Sequence, residues 1–168
     1  ISWAPNGSVF ATPAYVNATT QRGVASASVG IALFGFNATT GQWQRTGQLT
    51  SPRIFDFSIP SVIETHILPA FSPSGQRLAY FEITWPDALL QNPASARLVV
   101  INADGSNPTV LSAFNPGFYP MGLTWSADGN QLVFSIGQQV QSGGMSSPFG
   151  RPETAVVRSI SSVTGGNA

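Results

Sequence analysis

One ten-residue block occurs three times without gaps, and it constrains this chain more than any other feature. It reads Trp3-Ala4-Pro5-Asn6-Gly7-Ser8-Val9-Phe10-Ala11-Thr12. It returns as Phe71-Ser72-Pro73-Ser74-Gly75-Gln76-Arg77-Leu78-Ala79-Tyr80 and again as Trp125-Ser126-Ala127-Asp128-Gly129-Asn130-Gln131-Leu132-Val133-Phe134. Each copy ends a strand on an aromatic. Pro or a small residue, a polar residue and Gly then make a tight turn, with Gly in the left-handed position. An apolar strand runs back, so each copy predicts a β-hairpin. A repeated supersecondary unit cannot bury its apolar face alone and stacks on its neighbours.

A second block follows each first one. Ile31 to Phe36 runs into Asn37-Ala38-Thr39-Thr40-Gly41, Leu98 to Ile101 into Asn102-Ala103-Asp104-Gly105, and Ala155 to Ile160 into a turn at Gly165-Gly166. Strands at Gln42 to Leu49 and Thr109 to Leu111 complete the first two units. Further short strands are predicted at Val9 to Val16, Arg77 to Ile83 and Gln131 to Ile136. No apolar period of 3.6 persists over three turns, and only Pro86 to Ala96 could form a helical turn. Four-stranded antiparallel units repeating at about 50–70 residues read as propeller blades. The predicted fold is all-β, a partial β-propeller of about three blades with incomplete terminal blades. The blades fall at about 1–50, 66–112 and 120–168, the last without its fourth strand. Trp3, Phe71 and Trp125 are expected between adjacent blades, with Leu78 and Leu132 behind them.

The middle unit resembles the TolB-type, WD-like β-propeller repeat. Phe71-Ser72-Pro73-Ser74-Gly75, the strand Leu78-Ala79-Tyr80 and the turn Asp104-Gly105-Ser106 carry the resemblance. Asn6 and Ser74 replace its usual Asp, and Ala127 its usual Pro. The resemblance implies architecture and transfers no catalytic residue.

Composition narrows the chemistry. Charged residues are 8% of the 168, with seven Arg, seven Asp or Glu and no Lys. A net charge of zero with scattered Arg opposes a nucleic-acid or anionic-membrane surface. Zero Cys excludes disulfides and thiol catalysis. The longest apolar runs are too short to span a membrane. A start at Ile1 without a leader pattern is expected of a processed product or an excerpt. Low charge, no Cys and many amides suit an extracytoplasmic bacterial protein, periplasmic or secreted.

Specific motifs are few. No Gly-x-Ser-x-Gly elbow, phosphate loop or His-Glu-x-x-His occurs. His66 is the lone histidine, and a hydrogen-bonding role is expected for it. The carboxylates Asp56, Glu64, Glu82, Asp87, Asp104, Asp128 and Glu153 look isolated in sequence. Asp104 and Asp128 precede Gly and read as turn residues. Three sequons, at Asn6, Asn17 and Asn37, read as chance in an Asn-rich chain. No catalytic residue, cofactor or metal is expected.

Both hairpin turns of an up-and-down blade lie at one end. The connections of varying length, Asn17 to Gly30, Ser51 to Thr65, Thr84 to Ser95, Ser112 to Gly122 and Gly137 to Glu153, lie at the other. Loops of one face often carry recognition. Candidate binding residues there are Arg53, Asp56, Glu64, His66, Trp85, Phe118, Tyr119 and Phe149. The expected function is a non-catalytic interaction module for a protein or peptide. The expected neighbours are remaining blades of a longer chain, or self-association. The alternative is the propeller of a larger enzyme, such as a prolyl-oligopeptidase-class serine peptidase, gating or binding substrate.

Overall fold

Short Val-, Ile- and Phe-rich runs punctuated by Gly and Pro build eleven strands in a computed structural model that describes residues 1–21, 24–52, 63–85, 95–139 and 152–161. The first unit holds β1 (Ser2–Trp3), β2 (Val9–Gln21), β3 (Val24–Asn37) and β4 (Gln42–Gln48). The second holds β5 (Ile63–Phe71), β6 (Arg77–Trp85), β7 (Ser95–Asn102) and β8 (Thr109–Phe114). The third holds β9 (Phe118–Trp125), β10 (Gln131–Gln139) and β11 (Pro152–Ser161). Within each unit, consecutive strands pair antiparallel. Among the described residues, the one bridge between units is a parallel pair at Val29 and Thr65, joining β3 to β5. The chain is therefore an all-β, partial β-propeller with incomplete terminal blades: β1 is two residues long, and the third blade has three strands among the described residues.

Register explains how the blades stack. In each blade three apolar residues line up across the first three strands on one face. They are Trp3, Phe10 and Phe34 in the first blade. They are Phe71, Leu78 and Ile101 in the second. They are Trp125, Leu132 and Ile160 in the third. This face of the second blade meets Ala11, Ile31, Leu33 and Leu49 of the first. The same face of the third meets Ala70, Ala79, Phe81, Leu98 and Val100 of the second. Alternation does the rest, since odd and even strand positions point to opposite neighbours. Leu78 and Leu132 are fully buried, as expected from the sequence.

Polar contacts repeat along the seams. Trp125 Nε1–H donates to Ala70 O at 2.8 Å, and the Phe71 amide donates to Ser2 Oγ at 2.9 Å. The Arg77 guanidinium lies 4.9 Å from the Trp125 ring centre and donates to Gly129 O. The Gly turns stack in the same order. A Cβ on Gly75 would meet Pro5 Cδ at 3.4 Å, and one on Gly129 would meet Pro73 Cδ at 3.6 Å. Each proline thus lies against the glycine of the next blade.

Trp3 departs from expectation. It is 52% exposed, against 8% for Trp125, and Phe71 is half-buried. Trp3 has the seam position without the seam: no described residue covers that face of the first blade. It packs within its own blade, with ring centroids 5.1 Å from both Phe10 and Trp43.

Two expected loops are also corrected. Asn17 to Gly30 belongs mainly to β2 and β3, which extend as one long hairpin. Ser112 to Gly122 is a turn at Asn115-Pro116-Gly117 between two strands. Val and Thr suit strand arms, and the small residues between them are held by pairing with the opposite arm even where the sequence looks loop-like. The possible helical turn at Pro86 to Ala96 lies largely outside the described residues, and β7 begins at Ser95.

The turns follow from side-chain acceptors as well as glycine. Asn6 Oδ1 accepts from the Ser8 amide at 3.0 Å, Asp104 from that of Ser106 at 2.9 Å, and Asp128 from that of Asn130 at 3.0 Å. The Ser106 hydroxyl holds the Asp104 carboxyl below the usual carboxylate range, and the Ser126 hydroxyl does the same for Asp128. Stability contributed by these groups is present above the ordinary carboxylate pKa. It is lost as pH falls through the lowered values. Carboxyl-carbon NMR titration should find both aspartates titrating below an ordinary exposed aspartate. Ordinary titration of either would contradict these turn contacts.

Candidate functional site

A one-residue irregularity in β5 creates the site. The β5–β6 register shifts between Ile67 and Ala70, and Leu68 within the shift has φ 53°. That conformation is costly for a residue with a Cβ, and such strain persists only where the surroundings enforce it. The extra residue changes which way the start of β5 faces. Without it, His66 and Phe71, an odd number of residues apart, would point to opposite faces. With it, His66 lies opposite Glu82 on the face that carries Phe71, Leu78 and Tyr80.

Four polar side chains converge there, at the end of the blade away from the Gly75 turn. His66 Nε2 lies 3.2 Å from Glu64 Oε1 and 3.9 Å from Glu82 Oε2. Arg97, opposite Glu82 on β7, pairs with the Glu82 carboxylate. His66 is 4% exposed, and its Nδ1 has no hydrogen-bond partner among the described residues. Glu64 is the more open of the two carboxylates. The Tyr80 ring closes one side, 4.9 Å from the imidazole. Burial raises the Tyr80 phenol above its ordinary pKa, and the charges of Glu82 and Glu64 add to that shift.

The arrangement can pass a proton between imidazole and carboxylate, or receive an N–H or cationic group from a ligand. His66, Glu64 and Glu82 also offer three metal-ligand atoms within 4.8 Å of one another, a nitrogen and two oxygens suited to a divalent cation. Two features favour proton and ion-pair chemistry over a metal. Arg97 already engages Glu82. A metal-bound imidazole also nearly always donates its other N–H to an acceptor, and no described residue accepts from Nδ1.

The expectation of isolated carboxylates is thereby corrected, and with it the reading of these residues as non-catalytic. Arg97 and Tyr80 carry no functional expectation from the sequence, and Glu82 only that of an isolated carboxylate. The available signal was a charged residue inside the apolar strand Leu78 to Trp85.

The remaining candidate binding residues are placed as follows. Glu64, His66, Trp85, Phe118 and Tyr119 lie on strands, and only Glu64 and His66 touch each other among them through polar atoms. Trp85 is buried, with Nε1–H donating to Thr65 Oγ1 at 3.0 Å. Its ring centroid is 6.1 Å from that of the exposed Tyr119. Phe118 is half-buried against the second seam. Arg53, Asp56 and Phe149 lie outside the described residues.

No family model matches the chain, and no curated protein matches it. The chain is similar to several solved structures at the level of fold. The acylaminoacyl peptidase of Pyrococcus horikoshii aligns at 12% identity and a TM-score of 0.37, over 85% of this chain and 20% of that one. The β-propeller domain of the trilobed protease from Pyrococcus furiosus, described as having an open velcro topology, aligns at 12% and 0.33, over 75% and 35%. A manganese-bound oligogalacturonate lyase aligns at 11% and 0.24, over 82% and 58%. The chain thus spans about a fifth of the acylaminoacyl peptidase it matches. The matched structures are a peptidase, a protease propeller domain and a lyase, none of them a TolB-type or WD-like repeat protein, and the TolB-type, WD-like, PD-type repeat assignment is withdrawn. The non-catalytic interaction module is withdrawn with it, given the Glu64–His66–Glu82 cluster.

Proposed function

We propose that this chain is the propeller portion of a larger hydrolytic enzyme of the prolyl-oligopeptidase class, where it gates or binds substrate. The carrying observation is the Glu64–His66–Glu82 cluster. In a chain so poor in charge, four ionisable groups meet at one end of one blade seam. Burying charge opposes folding unless it is paired, and a buried group of paired ionisable side chains of this kind is a candidate functional site. In this reading Glu64 meets the N–H or cationic end of a peptide, and His66, backed by Glu82, holds Glu64 in place. The blades run at about residues 1–50, 66–112 and 120–168.

The longer protein provides the test. It should take a fluorophosphonate label and cleave a short peptide. Glu64→Gln should raise KM for that peptide about tenfold, as loss of one charge-assisted hydrogen bond does. Asn130→Ala, at the turn end, should leave KM unchanged. Absence of labelling, or an unchanged KM for Glu64→Gln, would contradict the proposal.

A further inference from the structure

The first blade carries five aromatic side chains on its uncovered face: Trp3, Phe10, Phe34, Phe36 and Trp43. Their rings form a continuous chain of contacts, with neighbouring centroids 5.1–5.4 Å apart. Trp3, Phe36 and Trp43 are all exposed. A contiguous apolar patch of this size marks an interaction surface. We propose that this face is the docking surface for a further four-stranded blade of the same protein, outside these 168 residues. The inference rests on the reading of the chain as part of a larger propeller.

The two seams already present specify the occupant. Trp3, Phe10 and Phe34 hold the positions of Phe71, Leu78 and Ile101 and of Trp125, Leu132 and Ile160. Each of those other trios is covered by the back of a preceding blade, through Ala11, Ile31 and Leu33 or through Ala79, Phe81, Leu98 and Val100. Nearest-neighbour stacking of this kind is what holds repeat proteins together. The turn repeats the message. Gly75 and Gly129 each lie against a proline of the preceding blade, whereas a Cβ on Gly7 would meet nothing within 4 Å. The occupant therefore has an aliphatic back and a proline two residues before its turn glycine.

A second copy of this chain fits poorly. The back of its third blade would present Thr124, Val133, Ser135, Val157 and Ser159. Three of those five are hydroxyl residues, and its turn carries Ala127 where the proline is needed.

Hydroxyl-radical footprinting of the longer protein tests this. Trp3 and Trp43 should oxidise at least about tenfold more slowly in the native protein than in urea, as aromatics in a close-packed interface do. Trp125 is the protected standard, and Tyr15, 71% exposed, is the open one. Light scattering on the same samples reports the oligomeric state. Protection in a monomer supports the proposal, including in a protein that takes no fluorophosphonate label, which would defeat only the hydrolase reading. Oxidation of Trp3 and Trp43 at the rate of Tyr15 would overturn it. So would protection that appears only on dimerisation, which would assign the face to a second copy.

Discussion

Replacing Trp125 with alanine is expected to destabilise the intact propeller by about 3–5 kcal/mol, the range for truncating a large buried aromatic. Three contacts would go together. The indole fills the seam between the second and third blades beside Ala79, Leu98 and Val100. Its Nε1–H satisfies Ala70 O, and its ring lies under the Arg77 guanidinium. The Ala70 carbonyl would be left in a buried seam without that donor, which adds a desolvation penalty. Urea denaturation measures the loss. Trp125→Phe should keep most of the packing and forfeit the hydrogen bond, so it should fall between the wild type and Trp125→Ala. A loss below about 1 kcal/mol for Trp125→Ala, the level of an ordinary surface change, would contradict the seam.

Gly105→Ala is the second large effect. Gly105 has φ 87°, a conformation that L residues rarely adopt. A Cβ there would also lie 2.8 Å from the backbone carbonyl oxygen of Leu49, at the junction of the first two blades. The backbone term costs about 1–2 kcal/mol, and forced overpacking adds roughly 1–3 kcal/mol. Gly41 provides the control. It occupies the corresponding turn of the first blade at φ 67°, with nothing within 4 Å of its added Cβ. Gly41→Ala should therefore carry the backbone term alone. Equal losses at the two positions, read from urea midpoints at constant m, would show that the second blade's turn does not press on the first.

The repeat was legible because each copy writes its chemistry locally. The turn glycines at 7, 75 and 129 and the apolar strands after them are decided within ten residues, by left-handed φ and by alternation. Leu78 and Leu132 followed from the same alignment. Trp3 did not, because burial belongs to the neighbouring blade rather than to the residue. The strand arms from Asn17 to Gly30 were hidden by small, weakly patterned residues, whose pairing is fixed only by the partner arm. The polar cluster was hidden by the β5 irregularity. Simple alternation sends His66 and Phe71 to opposite faces, and only the extra residue at Leu68 and Pro69 turns His66 toward Glu82. Arg97 completes the cluster from a third strand by register, which no linear spacing announces.

The aromatic face of the first blade and the seams behind it are one repeated device. The most direct measurement is an experimental structure of the longer protein with side chains visible around Trp3. That structure should show a further sheet against that face, Trp3 as buried as Trp125, and Trp3 Nε1 about 3 Å from a backbone carbonyl of the covering blade, a normal hydrogen-bond distance. A Trp3 ring left open to solvent in the longer protein would contradict it.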